Sequence, residues 1–277
     1  VPDYFFYCNV LSGNIKIRTR GSRSAFQHLQ DFFLGLAIIG RSPFLVVCLA
    51  LTVLLSPDFS STRNTINVII SCFIALAVAL PVFLVWGGLV PPDVQQIEIG
   101  FAPFHVFSAF AYAGIFSMII APRFFLIMKH IPIYLIITFS LFVVINVTLW
   151  NVNFAPFLTT LKRFLPQHHV TIYGLVMTSL LFVSALYFIG SSIVRFWENR
   201  KNALYLFSAA AAFFILSTNV KVTHGFTFRY VAQSVPFLVV MLAPYDRLTV
   251  AKILRFSFGI GIGMIYLIHH YYIYQYG

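Results

Sequence analysis

The residues best suited to chemistry lie in the stretch His224–Pro244, HGFTFRYVAQSVPFLVVMLAP. Arg229 and Tyr230 stand where a polar loop turns into an apolar run, and Gln233 and Pro236 follow within the run. No formal charge occurs from Val231 to Ala243, so this backbone can enter hydrocarbon only as a helix, with Arg229 at or just below the headgroup level. A guanidinium at that depth offers a planar fork of N–H donors to a lipid phosphate or a carboxylate. The same placement also suits an interfacial arginine whose stem carries its charge to the surface. Lys221, His224 and Thr227 crowd the same rim and keep the loop positive.

A second polar loop, VPPDVQQIEIG, brings Asp93 and Glu98 close to the membrane. Either carboxylate has the chemistry of a base or of a group that orients an acceptor hydroxyl, although Pro91 and Pro92 equally suit a turn that merely holds Asp93. Gln95 and Gln96 can hydrogen-bond sugar hydroxyls or simply be solvated amides. The segment SGNIKIRTRGSR alternates Lys16, Arg18 and Arg20 with small or apolar residues, which puts the three cations on one face of an extended chain, facing phosphate or a membrane surface. His105, His168, His169, His224, His269 and His270 are dispersed, and no short spacing brings together the three or four ligands that a metal needs. A divalent metal is admissible, but no ligand set demands one. The odd count of three cysteines provides no disulfide framework, and the Asn146-Val147-Thr148 triplet matches a glycosylation site but falls inside an apolar run that a glycosylating enzyme cannot reach.

The elements that must position these residues are membrane helices. The chain has 277 residues, 60% hydrophobic and only 9% charged, with a mean hydropathy of +0.90. A soluble domain carries roughly 25% charge. Seven acidic residues against eighteen Lys and Arg leave a formal charge of +11, scattered between apolar runs in a manner that suits anionic headgroups and phosphate-bearing lipids rather than nucleic acid. The expected fold is an all-α polytopic bundle of about eight transmembrane helices, with an interfacial and basic segment at 1–30 and a membrane domain at 31–277. Phe32 to Leu55 reads as one bent span or as two short re-entrant pieces around Arg41. Thr65 to Val90 would extend about 39 Å as helix, so tilt or a kink at Pro81 is expected. Further spans are expected at 101–121, 131–150, 171–194, 202–220, 230–243 and 255–273. Between the fourth and fifth of all these, Phe154, Phe157, Leu158, Leu161 and Phe164 recur as the apolar stripe of a helix lying in the interface. No internal repeat is evident, and a chain opening at Val1 with neither an initiating Met nor a signal pattern reads as a processed or truncated product.

Charge orients the bundle. Arg63, Arg123, Lys129, Arg195, Arg200, Lys201, Arg247, Lys252 and Arg255 fall on one side, against Lys162, Arg163, Lys221 and Arg229 on the other. The positive-inside rule makes the first side cytoplasmic, so Asp93, Glu98 and the Arg229 rim share the extracytoplasmic side.

Two short patterns then carry a resemblance. ALPVFLVWGGLVPP, residues 79–92, resembles the span and outer loop of membrane glycosyltransferases of the GT-C superfamily, especially relatives of the α-1,2-glucosyltransferase that completes the dolichol-linked oligosaccharide. FRYVAQSVPFL, residues 228–238, resembles a late Arg-Tyr…Pro span of polyprenyl-phosphate-sugar transferases. The likeness spans a scaffold from about residue 26 to 273, but only these two patterns are specific. It implies a polyprenyl-phosphate sugar as donor, a glycan or lipid-linked acceptor, and a site at the outer face of a bacterial or archaeal plasma membrane or the lumenal face of the endoplasmic reticulum. It also implies roles for named residues: Arg229 on the departing lipid phosphate, Tyr230 on the sugar, and Asp93 or Glu98 as base. Members of the family use a carboxylate in a large first outer loop, and residues 1–7, which include Asp3, show no paired-acid signature. A transporter or channel for a small or anionic solute is the alternative, with Arg41, Pro81, Asn219 and Lys221 along its pathway.

Overall fold

Apolar runs in hydrocarbon must satisfy every backbone donor and acceptor internally, and this chain does so with helices. The computed structural model describes residues 23–40, 44–55, 62–89, 100–125, 131–155, 158–221, 229–246 and 249–276, and no β-strand occurs among them. In chain order the α-helices are α1 (Arg23–Gly40), α2 (Leu45–Leu51), α3 (Thr62–Trp86), α4 (Pro103–Ile120), α5 (Ile131–Ile145), α6 (Leu158–Phe164), α7 (Gln167–Glu198), α8 (Ala203–Ser217), α9 (Arg229–Ala232), α10 (Val235–Leu242) and α11 (Val250–Tyr276). Tighter turns prolong α2 to Leu55, α8 to Lys221 and α10 to Tyr245.

Among the described residues five helical segments are long and apolar enough to cross a membrane: Thr65–Trp86, Pro103–Ile120, Pro132–Trp150, Gln167–Glu198 and Ala203–Lys221. Their outward faces are apolar: Phe73, Leu84 and Val85 are 72%, 72% and 84% exposed, a surface that water would not tolerate and lipid requires. The chain is an integral membrane protein. The other expected spans have individual outcomes. Phe32 to Leu55 is divided between α1 and α2, with residues 41–43 outside the described set, and 230–243 is interrupted at Gln233–Ser234 between α9 and α10. The region 255–273 lies within the continuous helix α11. A short helix, α6, forms within the stretch expected to lie in the interface; Phe154 lies before it in irregular chain, and Phe157 is outside the described residues.

Local chemistry fixes the ends. Pro103 occupies the first turn of α4, where its missing N–H costs nothing. Asn202 caps α8 by accepting the Tyr205 N–H at 3.1 Å. Helix α3 runs through Pro81 and stops at Trp86, where Gly87 takes φ +67. Gly87 N–H donates to Leu84 O at 3.2 Å and Gly88 N–H to Phe83 O at 3.1 Å, the paired bonds of a Schellman cap. The Trp-Gly-Gly pattern thus has a local cause in helix termination. Helix α5 ends in a π turn over Asn146–Trp150, closed by Asn151 at φ 47. The Asn146 side chain holds it: its Nδ2 donates to Val152 O at 3.0 Å and its Oδ1 accepts from Val152 N–H at 2.8 Å. Asn146, in a triplet that looked incidental, is a backbone clasp.

The main core joins α4, α7, α8 and α10 around Phe110, Phe124, Phe188, Leu216, Leu238 and Met241. Phe188 packs its ring against Phe110, Phe124 and Phe213, with centroids 6.4, 5.9 and 6.1 Å away. A second core of Ile38, Cys48, Ala75 and Ala79 binds α1 and α2 to α3, and a third of Val47, Ala50, Ala211 and Ile215 fastens α2 to α8. Helix α5 lies against α7 and α11 against α4.

Helices α1 and α3 approach most closely at Gly35, where an added Cβ would stand 2.6 Å from Val78 Cβ and 2.9 Å from Ala75 O. Small residues let membrane helices meet in this way. Gly35→Ala is expected to force the pair apart and destabilise the protein by roughly 1–3 kcal/mol, in spite of alanine's better helix propensity. Thermal unfolding in detergent measures this, and an unchanged or raised Tm would contradict the close approach.

Candidate functional site

The described residues that flank the two loops singled out by their chemistry are bonded to each other. Ala102 N–H donates to Val220 O at 2.8 Å, so the chain entering α4, just after the Asp93–Glu98 loop, is bonded to the turn Thr218–Lys221 that leads into the His224 loop. Lys221 is exposed at that turn, and Gln233 is half-buried in the break between α9 and α10. Arg229 and Tyr230 open α9. Asp93, Gln95, Glu98 and His224 lie outside the described residues, as do the side chains of Arg229 and Tyr230.

Beneath this rim the protein keeps a polar atom in an apolar setting. Asn219 is 1% exposed; its Nδ2 donates to Leu216 O at 2.7 Å, while its Oδ1 has no hydrogen-bond partner. A buried amide oxygen left so is costly, and native structures keep few of them. Beside it stands an aromatic wall. Trp150, 43% exposed, sets its ring 5.7 Å from Phe104, 5.9 Å from Phe142 and 6.3 Å from Phe182. Phe104 is two positions from Ala102, so Trp150 belongs to the same end as the Ala102–Val220 junction.

The connection after the π turn is also anchored here. Asn153 lies over Gly174 of α7, where a Cβ would come within 2.2 Å of Asn153 Nδ2. Phe154 N–H donates to Thr178 Oγ1 at 3.3 Å, and Thr178 Oγ1 donates to Asn153 Oδ1 at 3.4 Å. None of Trp150, Asn153 and Thr178 belongs to a recognisable motif. The available signal was a cluster of Asn and Trp at the end of a long apolar run.

At the opposite end of α8 the bundle is basic. Arg195 donates from Nε to Phe124 O at 2.9 Å, from Nη2 to Arg123 O at 3.1 Å and from Nη1 to Glu198 Oε2 at 2.7 Å. Its guanidinium carbon also stands 4.6 Å from the centroid of the Tyr245 ring. Asn199 Nδ2 donates to Tyr245 OH at 2.7 Å, Lys252 pairs with Asp246, and Arg255 Nε donates to Ile119 O at 3.0 Å. Sequence reasoning placed these residues on one side by charge alone, without the contacts that bind the ends of α4, α7 and α10 to the start of α11.

Among the described residues no group of three or more His, Cys, Asp or Glu could hold a metal ion. His168 and His169 are exposed at the start of α7, with ring centroids 5.8 Å apart. Comparison of the chain with family models, with curated proteins and with solved structures finds no match.

Proposed function

We propose that this protein is a membrane glycosyltransferase that takes a sugar from a polyprenyl-phosphate donor at the extracytoplasmic or lumenal face. The observation that carries the reading is the bond from Ala102 N–H to Val220 O, which joins the chain leaving the acidic loop to the chain entering the basic one. An acid that accepts a proton and a cation that holds phosphate are the two groups such a transfer needs near one another. The acceptor O–H loses its proton to a carboxylate, Asp93 or Glu98, as its oxygen attacks the anomeric carbon. The bond from that carbon to the phosphate oxygen breaks with inversion, and the electron pair leaves on the polyprenyl phosphate, where Arg229 offsets the charge. Tyr230, Gln233 and Gln95 are suited to the sugar, and Lys221 and His224 to the outer edge of the phosphate. Trp150 adds an aromatic face at the same end, of the kind that packs against a sugar ring.

The test separates the two carboxylates. Asp93→Asn is expected to lower turnover by roughly 10²-fold or more with donor binding nearly intact, because the near-isosteric amide cannot accept the proton. Glu98→Gln is expected to lower it less. Both variants are assayed as purified protein in lipid, supplied with a polyprenyl-phosphate sugar and an acceptor. Wild-type turnover in both would remove these residues from the base role, and failure of the wild-type protein to bind any lipid-linked sugar would move the reading to transport of a small or anionic solute.

A further inference from the structure

We propose a second site, at the basic end of the bundle, that binds the phosphate of an anionic lipid headgroup. A cleft of about 200 Å³ opens there between the turn Ile120–Pro122 and the start of α11, with Arg123, Tyr245, Thr249 and Arg255 on its walls. It stands at the opposite end of α8 from the Val220 junction and does not depend on the transfer reading.

The hydrogen-bonding inventory of the walls is one-sided. Two carbonyls of the turn are already engaged, Ala121 O with Phe124 N–H and Pro122 O with Phe125 N–H, and Arg255 Nε donates to Ile119 O just behind it. Thr249 Oγ1 accepts from Lys252 N–H, which leaves its hydroxyl proton to be donated, and Tyr245 OH accepts from Asn199 Nδ2. Arg255 is held through Nε, and its terminal N–H groups have no partner among the described residues. Arg123 is exposed, and its guanidinium has no partner among the described residues. The two described carboxylates of this end each hold an ion pair, Glu198 with Arg195 and Asp246 through Oδ2 with Lys252, while Asp246 Oδ1 is buried without a partner. What fits a cleft whose two guanidinium groups have no counterion among the described residues is an acceptor-only anion, and phosphate matches the guanidinium fork.

Two features make a lipid the source. The cleft lies at the charged ends of membrane helices, at the depth of headgroups in a leaflet whose anionic lipids attract Lys and Arg. Beside it on α11, Ile253 and Leu254 are 55% and 66% exposed, an apolar bed for acyl chains.

The experiment uses the full chain in uncharged detergent and follows its thermal unfolding with dioctanoyl phosphatidic acid, dioctanoyl phosphatidylcholine or inorganic phosphate at equal concentrations. Phosphatidic acid is expected to raise Tm by several degrees, phosphatidylcholine and inorganic phosphate by much less. The apparent affinity for phosphatidic acid is expected to fall at least tenfold in Arg123→Gln and in Arg255→Gln, and to be kept in Arg200→Gln, an exposed charge of the same end outside the cleft. Arg123→Gln removes a side chain with no described partner, so the test survives even if Arg255→Gln does not fold. A shift of equal size with inorganic phosphate, lost in Arg123→Gln, would keep the phosphate site but overturn the lipid as its source. Equal stabilisation by the two lipids, or a phosphatidic acid effect unchanged in Arg123→Gln, would overturn the site.

Discussion

Replacing Arg229 with alanine is expected to weaken donor binding or turnover by roughly 2–5 kcal/mol, the cost of leaving a desolvated phosphate without its cation. The expectation rests on the position of the residue. It opens α9, two residues before buried Val231, on a chain that carries no further charge through Ala243. On the proposed reading the guanidinium meets the lipid phosphate at the edge of an apolar run, and its two parallel donors match two phosphate oxygens. Arg229→Lys is therefore expected to recover only part of the loss, since an ammonium supplies a charge without the fork. An arginine that merely carried its charge to the surface would accept lysine almost fully. Binding and transfer measured for both variants, with matched phosphate and pyrophosphate lipid-sugars, decide between these roles. Unchanged binding and transfer in Arg229→Ala would remove the residue from the site.

How much of this architecture was legible differs from element to element, for physical reasons. The run expected at 101–121 is the helix Pro103–Ile120, because an uninterrupted apolar stretch in hydrocarbon has no other backbone solution. The run expected at 171–194 extends as helix from Gln167 to Glu198, since polar residues at its ends prolong a helix into the interface without changing its hydropathy signal. The break at Gln233–Ser234 was hidden, although Pro236 marks it: two polar residues inside an apolar run hardly alter the composition of a window. Gly35, Asn146 and Gly174 were also hidden, because their significance lies in what approaches them from elsewhere in the chain. For the site, charge patterning put the acidic and basic loops on one side, and the Ala102–Val220 bond joins the described chain leaving the first to the described chain entering the second. Asp93, Gln95, Glu98 and His224 themselves lie outside the described residues.

Arg195→Ala is expected to have the largest effect on stability, because one side chain fastens three helix ends. Its Nε and Nη2 serve two carbonyls, of Phe124 and Arg123, that end the segment after α4, and its plane lies over Tyr245 at the end of α10. Phe124 is fully buried, so its carbonyl has little prospect of replacement by water. A charge-assisted hydrogen bond contributes about 1.5–3 kcal/mol, and the cation–π contact about 0.5–1 kcal/mol. The Glu198 pair adds little, because the carboxylate side chain is 47% exposed. Allowing for non-additivity, the loss is expected to be roughly 3–5 kcal/mol, which for a chain of this size lowers Tm by about 6–15 °C. Arg195→Lys keeps the charge but cannot reach both carbonyls, so more than half of the loss should persist. Glu198→Gln should change stability by less than about 1 kcal/mol. The comparison is made by unfolding all three variants in the same detergent at a fixed heating rate, since membrane bundles often unfold irreversibly and Tm then depends on the scan. An equal loss in Arg195→Ala and Glu198→Gln would assign the stabilisation to the ion pair and contradict the carbonyl clamp. Because the clamp sits at the other end of α8 from the Arg229 loop, the fraction of Arg195→Ala that stays folded should bind donor with wild-type affinity. A loss of donor affinity in the folded fraction would instead mean that the two ends are coupled through the bundle.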